Sequence, residues 1–185
     1  MPAGQTHDRI TLWSLPVIAS LTFLQTQSGN LTLIVAGAYL FSGLMFGPDL
    51  DLYSIQYKRW GYLRWMWLPY QKTLRHRSIL SHGLIIGTTL RVIYLGVWVA
   101  LAGIFVLGMT HLIWGIELSW QLLVQTGKRS LIQNTTEWIS LFAGLELGAM
   151  SHSLSDWGSS TYKRLNQRGT MKKRKVSKAK LKRRR

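Results

Sequence analysis

The stretch "GLIIGTTLRVIYLGVWVALAGIFVLGM", residues 83–109, decides the fold class of this chain. It is the longest apolar run in the sequence and contains one charged residue, Arg91. About 20 apolar residues in a helix are enough to cross the hydrocarbon core of a bilayer, so this run can span a membrane. Three shorter apolar runs cover residues 10–24, 31–46 and 138–150. The pattern predicts an all-α, polytopic membrane helix bundle with about four transmembrane helices.

The first two apolar runs leave two arrangements open. Each is short for a complete span, Pro16 interrupts the first, and Gly47 and Pro48 end the second. Residues 10–46 therefore either cross the membrane twice or form a re-entrant hairpin, and both arrangements return the chain to its starting side. Residues 111–136 are amphipathic instead of uniformly apolar, which predicts an extra interfacial helix.

The distribution of positive charge orients the predicted bundle. The chain has 23 Lys and Arg against seven Asp and Glu, which gives a net charge of +16. With an even number of crossings, residues 1–9, 47–82 and 151–185 share one side, and that side holds 20 of the basic residues. The other side has only Lys128 and Arg129. The positive-inside rule makes the basic side cytoplasmic, so we expect a multi-pass protein of the bacterial inner membrane with both termini in the cytoplasm.

The last part of the chain differs in composition from the rest. Residues 161–185 contain 13 of the basic residues, and we expect a disordered cytoplasmic tail after a membrane-embedded, metal-binding domain of residues 1–160. Beside the membrane lipids around the bundle, the expected partners are anionic lipid head groups, which attract the tail. Nucleic acid is the less favoured partner, through phosphate contacts alone, because residues 172–185 have no aromatic side chain to stack on bases.

Histidines and aspartates collect on the predicted cytoplasmic side. All four aspartates and four of the five histidines fall at the cytoplasmic ends of the apolar runs, and only His111 lies elsewhere. A bundle brings such ends together, so imidazoles and carboxylates from several helices are expected to converge. The chain has no cysteine, which excludes thiolate ligands and disulfides. These ligands suit one or two divalent metal ions, with Zn²⁺ as the first choice and Mn²⁺ or Fe²⁺ as alternatives.

The spacing of these residues supports a shared site. His152 and Asp156 are four residues apart, so a helix places both on one face. Asp49 and Asp51 follow a Gly-Pro pair at a spacing that projects two carboxylates the same way. His82 falls in the predicted first turns of the third long helix, where it faces the ends of the other helices.

Other polar residues border the predicted site. The N-terminus of a helix favours anions, so Arg77 and Ser81, beside the capping residue Ser78, are the predicted catalytic residues that hold an anionic substrate. Arg91 and Glu146 lie within the apolar runs, where an unpaired charge is costly. The two residues either form an intramembrane ion pair, or Arg91 extends toward the interface.

Several short motifs together resemble a known family. They are "THDRIT" at residues 6–11, "GPDLDLYS" at 47–54, "HRSILSHG" at 76–83 and "SHSLSDW" at 151–157. The pattern resembles the uncharacterised metal-binding membrane proteins common in cyanobacteria, and it is more distantly similar to the YdjM-like membrane-bound metal-dependent hydrolases. The resemblance implies a metal site formed by six side chains: His7, Asp49, Asp51, His82, His152 and Asp156.

Metal-dependent hydrolysis of a lipid or phosphate-containing substrate at the cytoplasmic face is the activity that these features favour. The hydrolase part follows from the resemblance and is weaker than the metal-binding part. Three other functions stay open. They are a non-catalytic metal site that stabilises the bundle or senses metal, a transporter with Arg91 and Glu146 on its path, and a membrane tether for RNA or DNA through the tail.

Overall fold

Helices follow one another along the whole of the described chain. The computed structural model describes residues 4–74, 78–115 and 119–182, and within these ranges it contains no strand, which confirms the all-α class. The α-helices are α1 (Gly4–Thr26), α2 (Gly29–Leu44), α3 (Ile55–Lys58), α4 (Leu68–Thr73), α5 (Ile79–His82), α6 (Ile86–Trp114), α7 (Trp120–Gln133) and α8 (Thr135–Lys182). Two 3₁₀ helices, Pro48–Asp51 and Gly61–Trp67, lie between α2 and α4.

A short turn joins α1 and α2 into an antiparallel hairpin. Gln27 adopts a left-handed backbone conformation with φ of 50°. The hydroxyl of Ser28 then accepts a hydrogen bond from the N–H of Leu31, which caps the start of α2. A hydrogen bond between the hydroxyl groups of Ser14 and Tyr39 links the two helices further along. The hairpin therefore brings the start of α1 beside the end of α2.

Two glycines allow α8 to lie directly against α2. A Cβ atom on Gly144 would lie 2.5 Å from the backbone oxygen of Val35, and one on Gly148 would lie 2.5 Å from the backbone oxygen of Tyr39. Both distances are too short for any side chain, so the two helices pack backbone to backbone, as in membrane helix pairs with small residues at four-residue spacing. The contacts follow the same order along both helices, which shows that α2 and α8 run parallel here.

Aromatic side chains fix the segment between α2 and α6 against the long helices. The ring of Trp67 is completely buried, and its centre lies 5.8 Å from that of Phe46 and 5.3 Å from that of Tyr94 on α6. The ring of Trp60 packs on the same indole at 5.1 Å. Such ring pairs contribute about 0.5–1.5 kcal/mol each beyond their buried area. This cluster makes the segment a folded cap over one end of the bundle.

The third long helix begins later than the sequence predicts. His82, expected in its first turns, instead ends the short helix α5, and α6 starts at Ile86. Between them Ile85 has φ of 63° and ψ of −52°, and the N–H of Ile86 donates to the carbonyl of Leu84 at 2.6 Å. This γ-turn is a strained conformation for a β-branched residue. The break separates the segment that carries His82 from the long apolar helix.

Two segments in the described part of the chain are long and apolar enough to cross a membrane, Gly29–Asp51 and Ile86–Trp114. This number is smaller than the four spans that the sequence predicts. The other two apolar runs lie within α1 and α8, where polar residues on both sides lower the mean hydropathy. The two apolar segments also differ in exposure, because 44% of an 18-residue apolar window of the first is buried within the protein and none of such a window of the second is.

The predicted interfacial segment contains the amphipathic helix α7. Trp120, Val124 and Leu131 recur on one face of this helix, and Gln125 and Arg129 lie on the opposite face. No residue of α7 is buried. An amphipathic helix with an uncovered apolar face is typical of segments that lie in a membrane interface.

The backbone of the basic tail is helical, whereas the sequence predicted a disordered segment. Helix α8 continues from the bundle to Lys182 without a break. Proline is absent from the chain beyond Pro69, and the Lys, Arg, Ala and Leu residues of the tail all have high helix propensity. One helix therefore connects the two parts of the chain that differ in composition.

Candidate metal centre

Six side chains from four segments of the chain gather where α1 begins and α2 ends. They are all of the metal ligands that the sequence predicts: His7, Asp49, Asp51, His82, His152 and Asp156. Nitrogen–oxygen distances of 3.1–4.0 Å join neighbouring members of this set. Atoms that bind one metal ion at about 2.0–2.2 Å are separated by distances of this order. We call these six residues the His–Asp cluster.

The ligands on α8 continue the face that packs against α2. Gly144, Gly148, His152 and Asp156 occur at four-residue intervals, so consecutive members lie above one another along the helix. The close glycine contacts therefore deliver both ligands to the end of α2. There they meet the 3₁₀ helix Pro48–Asp51, a tight turn that carries both of the other aspartates in the cluster.

Three members of the His–Asp cluster form a tight group. His7, His152 and Asp156 each offer one ligand atom, and these atoms all lie within 4.8 Å of one another. Nε2 of His7 is 3.3 Å from Oδ1 of Asp156, and Nε2 of His152 is 4.0 Å from Oδ2 of the same carboxylate. The two imidazole rings are stacked, with their centres 4.1 Å apart. Two imidazoles with one carboxylate form a ligand set that catalytic zinc sites use.

Asp49 connects this tight group to His82. Its Oδ2 atom lies 3.1 Å from Nε2 of His152, and its Oδ1 atom lies 3.8 Å from Nε2 of His82. One carboxylate therefore faces two imidazoles, one with each oxygen. The side chain of Asp51 is completely buried and lies on the other edge of the His82 ring, with Oδ2 3.8 Å from Nδ1.

Serine hydroxyls orient two of the imidazoles. Oγ of Ser81 lies 2.9 Å from Nδ1 of His82, and Oγ of Ser155 lies 3.2 Å from Nδ1 of His7. With Nδ1 engaged in this way, each ring turns its Nε2 atom toward a carboxylate of the cluster. Metal-binding histidines usually have such a partner on their second nitrogen, which fixes the tautomer and the orientation of the ring.

The two residues predicted to hold a substrate have different outcomes. Arg77 lies outside the described residues, as does its neighbour His76, and its place in the site stays a prediction. Ser81 is completely buried, and its hydroxyl faces His82, which favours a role in orienting that ligand. Ser155 is a contributor that the sequence analysis missed, because a serine beside an aspartate carries no signal of its own.

The burial of the His–Asp cluster makes a metal ion a good fit. His7 is 6% exposed and His152 is 3% exposed. Among the described residues, Oδ1 of Asp49 and Nε2 of His152 are buried, and apart from the charged contacts within the cluster they make no hydrogen bond. A buried polar atom without a partner costs about 1–3 kcal/mol. A divalent cation would satisfy these lone pairs, which hydrogen bonds leave unused.

The electrostatic surroundings of His7 favour its neutral form. Burial lowers the pKa of His7, and the neighbouring His152 lowers it further, while the carboxylates of Asp156 and Asp49 act in the opposite direction and do not outweigh them. A neutral imidazole is the form that binds a metal ion. The ring is therefore ready to act as a ligand near neutral pH.

The aspartate next to His7 belongs to a different contact. Nη1 of Arg59 donates to Oδ1 of Asp8 at 2.9 Å and to the carbonyl of Leu44 at 2.8 Å, and Nη2 donates to the other oxygen of the same carboxylate. This two-pronged ion pair ties the start of α1 to the end of α2. Asp8 therefore holds the helix that carries His7 in place.

The two charges within the apolar runs hold the turn before α6. Arg91 is 1% exposed, and its guanidinium donates to the carbonyl of Ser81 at 3.0 Å and to the hydroxyl of Thr88 at 2.9 Å. Oε1 of Glu146 accepts a hydrogen bond from the N–H of Ile85 at 2.9 Å. From the sequence, Arg91 was expected either to pair with Glu146 or to extend toward the membrane interface. In the structure Arg91 binds the carbonyl of Ser81, before the strained turn, and Glu146 binds the N–H of Ile85 at the centre of the turn.

The fold and the site together define a helical metal-binding protein. The chain belongs to the family described as "Uncharacterized metal-binding protein (DUF2227)", whose model matches residues 2–166, and this confirms the metal-binding part of the resemblance. An uncharacterized protein of Aquifex aeolicus (strain VF5) is 38% identical to the chain over 58 residues. This match covers 31% of the chain and 40% of that relative. No solved structure matches the chain.

Proposed function

We propose that the protein is an integral membrane metalloprotein that hydrolyses a lipid or phosphate-containing substrate at the cytoplasmic face of the bacterial inner membrane. The observation that carries this proposal is the meeting of three imidazoles and three carboxylates at one end of long apolar helices. A divalent ion in such a site would lower the pKa of a bound water to near neutrality and would polarise an ester or phosphoryl oxygen.

Exposed apolar side chains support insertion into a membrane. Helix α6 exposes large side chains along its length, among them Val97 at 55%, Phe105 at 69% and Leu112 at 79%. Soluble monomeric proteins rarely expose a contiguous apolar surface of this length. We propose that α2 and α6 cross the bilayer, that α1 and the first part of α8 complete four crossings, and that α7 lies in the far interface. A re-entrant α1–α2 hairpin is the alternative.

Basic residues support a cytoplasmic position for the His–Asp cluster. Residues 47–82, the sequence that contains three members of the cluster, have six Lys and Arg, and residues 163–185 have 13. We propose that the basic part of α8 lies on anionic lipid head groups, at about 1 kcal/mol for each basic residue near the surface. A tether for RNA or DNA is the alternative role of the same residues.

The ligand types suggest which ion is bound and what the residues do. Imidazole and carboxylate ligands without thiolate suit Zn²⁺ first, and Mn²⁺ or Fe²⁺ next. His7, His152 and Asp156 would hold the ion, and the carboxylate of Asp49 lies beside them, with Oδ2 3.1 Å from Nε2 of His152. Arg77 precedes His82 by five residues in the sequence, and we propose that its guanidinium binds the negative charge of a substrate.

The metal content of the detergent-purified protein tests the site. We expect elemental mass spectrometry to find at least one divalent ion per chain in the wild type and a loss of that ion in His152→Ala. His111→Ala is the matched control, because this histidine lies near the other end of α6 and its variant should keep the wild-type metal content. A folded wild type that binds no metal, even after incubation with Zn²⁺, Mn²⁺ and Fe²⁺, would contradict the proposal.

Hydrolysis requires a separate measurement. Phosphate monoesters, phosphodiesters and carboxylic esters are presented in mixed micelles to the metal-loaded wild type and to the His152→Ala variant. We expect release of product from at least one class by the wild type, and loss of this activity on chelation or in the variant. A metal-loaded protein that hydrolyses none of the three classes would contradict the hydrolase part while leaving the metal site intact.

A stabilising metal site is the second candidate function. The His–Asp cluster joins α1, the 3₁₀ helix Pro48–Asp51, α5 and α8, so an ion there would link four segments that are distant in sequence. Structural zinc sites are closed by four protein ligands, whereas catalytic sites keep an open position. A bound ion that raises the melting temperature and has no water ligand that exchanges with the solvent would favour this second function.

A further inference from the structure

The six residues of the His–Asp cluster are not all mutual neighbours. Among the described residues, only His7, His152 and Asp156 form a group of three whose ligand atoms all lie within 4.8 Å of one another. His82 instead lies 3.8 Å from each of two carboxylates, those of Asp49 and Asp51. With bonds of about 2.1 Å, two ligands of one ion are at most about 4.2 Å apart. His82 does not belong to that group, so its ligand atoms lie farther than 4.8 Å from at least one of the three members, which is more than two ligands of one ion allow.

The carboxylate of Asp49 is placed between these two parts of the cluster. Its two oxygens face different imidazoles, with Oδ2 3.1 Å from Nε2 of His152 and Oδ1 3.8 Å from Nε2 of His82. A carboxylate that faces two imidazoles in this way can bind one metal ion with each oxygen. Two-metal sites in hydrolases hold their ions about 3.5–4 Å apart, a separation that one carboxylate can bridge.

The orientation of the His82 ring agrees with a ligand on the second side of Asp49. Ser81 and Asp51 both lie at the Nδ1 edge of this ring, at 2.9 Å and 3.8 Å. A carboxylate and a hydroxyl on Nδ1 are the partners that fix a metal-binding imidazole through its other nitrogen. Ser81 therefore positions His82 at hydrogen-bond distance, the carboxylate of Asp51 lies at the same edge of the ring, and Nε2 is the atom that His82 directs toward Asp49.

We propose that the cluster binds two divalent metal ions that share the carboxylate of Asp49. The first ion is held by His7, His152, Asp156 and one oxygen of Asp49. The second is held by the other oxygen of Asp49 and by Nε2 of His82. This inference rests on the metal site of the proposed function and specifies its number of ions.

The second ion has fewer protein ligands than the first, which sets its affinity and its chemistry. Two protein ligands leave several coordination positions to water, so the second ion binds more weakly and exchanges more readily. Oxygen atoms of a phosphate ester are hard, anionic ligands that can replace those waters. The substrate class that this arrangement favours is therefore a phosphate ester, whose negative charge binds both ions.

Titration with Mn²⁺ tests the two-ion arrangement on the full chain in detergent. Equilibrium dialysis with elemental analysis gives the number of ions, and electron paramagnetic resonance reports whether neighbouring ions are coupled. We expect two Mn²⁺ per wild-type chain, with the second bound at least tenfold more weakly, and a loss of signal intensity from spin coupling as the second ion binds. Inorganic phosphate at millimolar concentration should tighten the second step alone.

Three variants assign the ligands. We expect His82→Ala to bind one ion with the affinity of the first wild-type step and without spin coupling, and His7→Ala to lose the tight step. His111→Ala should match the wild type. A wild type that binds a single Mn²⁺, with weakened binding in both His82→Ala and His7→Ala, would overturn the proposal in favour of one shared ion. Two coupled ions that persist in His82→Ala would overturn the assignment of this ligand.

The wild-type titration keeps the test valid if a variant fails to fold, because stoichiometry and coupling need no substitution. Circular dichroism and size-exclusion chromatography identify such a variant. A folded wild type that binds no ion contradicts the proposed function itself, whereas a wild type that binds one uncoupled ion contradicts only the second site. The two failures are therefore distinguishable.

Discussion

Oδ2 of Asp49 lies 3.1 Å from Nε2 of His152, and the contact joins the turn after α2 to the middle of α8. Both side chains are held in a region that several helices enclose, and the imidazole is 3% exposed. A carboxylate and an imidazole in this relation are either an ion pair or two ligands of one cation.

Substitution of Asp49 is expected to remove the stabilisation that a metal ion gives. A ligand that binds only the folded state stabilises it by about 2.7 kcal/mol at a concentration of 100 times its Kd. Zinc should therefore raise the melting temperature of the wild type by several degrees, and this increase should disappear in Asp49→Asn. His111→Ala is the control, because His111 lies near the other end of α6, and its variant should retain the response. An equal response to zinc in all three proteins would contradict the assignment.

Gly148→Ala is expected to separate α8 from α2. The added methyl group would meet the backbone oxygen of Tyr39 at 2.5 Å, where neither helix can yield without a shift. Overpacking of this kind costs about 1–3 kcal/mol. Gly108→Ala is the control, since a Cβ atom there meets nothing within 4 Å. Tryptophan fluorescence during thermal unfolding measures both variants, and equal melting temperatures would show that the close helix contact is unimportant.

Glu146 is expected to matter as a hydrogen-bond acceptor more than as a charge. Its carboxylate accepts from the N–H of Ile85 in the turn that follows His82, so Glu146→Ala should weaken metal binding about 10- to 100-fold, as loss of an outer partner typically does. Glu146→Gln keeps an acceptor oxygen and should bind metal nearly as well as the wild type. Calorimetric titration with Zn²⁺ compares the three proteins. Equal losses in both variants would mean that the negative charge is what counts.

The metal-free protein is expected to lose stability on acidification through His7. The pKa of this imidazole is lowered in the folded state, mainly by burial, while its unfolded value is about 6.5. Its contribution is therefore present above about pH 6.5 and is lost as the pH falls through the lower, folded value. The melting temperature of the chelated wild type should fall between pH 7.5 and pH 5, and less steeply in His7→Gln. If the melting temperatures of the two proteins fell equally with pH, His7 would not be the cause of the acid sensitivity.

Membrane topology can be measured directly because the chain contains no cysteine. Tyr62 is almost fully exposed in the segment before α4, and Lys128 lies on α7. We expect a cysteine at position 62 to resist a membrane-impermeant maleimide in intact cells and to react after lysis. A cysteine at position 128 should react in intact cells. Labelling of both positions from the same side would contradict an odd number of crossings between them.

The sequence was sufficient to predict which residues come together, because helix ends on one side of a bundle must be neighbours. His7, Asp49, His82 and His152 each lie near such an end, and their residue types are uncommon inside apolar runs. The all-helical class followed from the same runs. The number of membrane spans was harder to predict. The sequence predicts four, and two segments of the described chain are long and apolar enough, since the apolar stretches in α1 and α8 are shorter than their helices.

The roles within the site depended on orientations that periodicity does not encode. Ser81 and Asp51 lie at the Nδ1 edge of the His82 ring, so its Nε2 atom faces Asp49. No helical or strand periodicity predicts this orientation of the ring. The turn at Ile85 was also hidden, because three apolar residues in a row read as continuous helix while the backbone there bends into a strained conformation. Arg91 and Glu146 looked like a simple pair of charges, yet Arg91 binds the carbonyl of Ser81 in α5 and Glu146 binds the N–H of Ile85 in that turn.

Gly144, Gly148, His152 and Asp156 form a single ladder on α8 that links a packing surface to the ligands. The insertion of one residue between the second and third members would rotate everything beyond it by about 100° and move it by about 1.5 Å. Both ligands would then point away from α1, although no side chain had been lost. Over evolutionary time this helix should therefore accept many substitutions on its outer face while keeping its length between these four positions fixed.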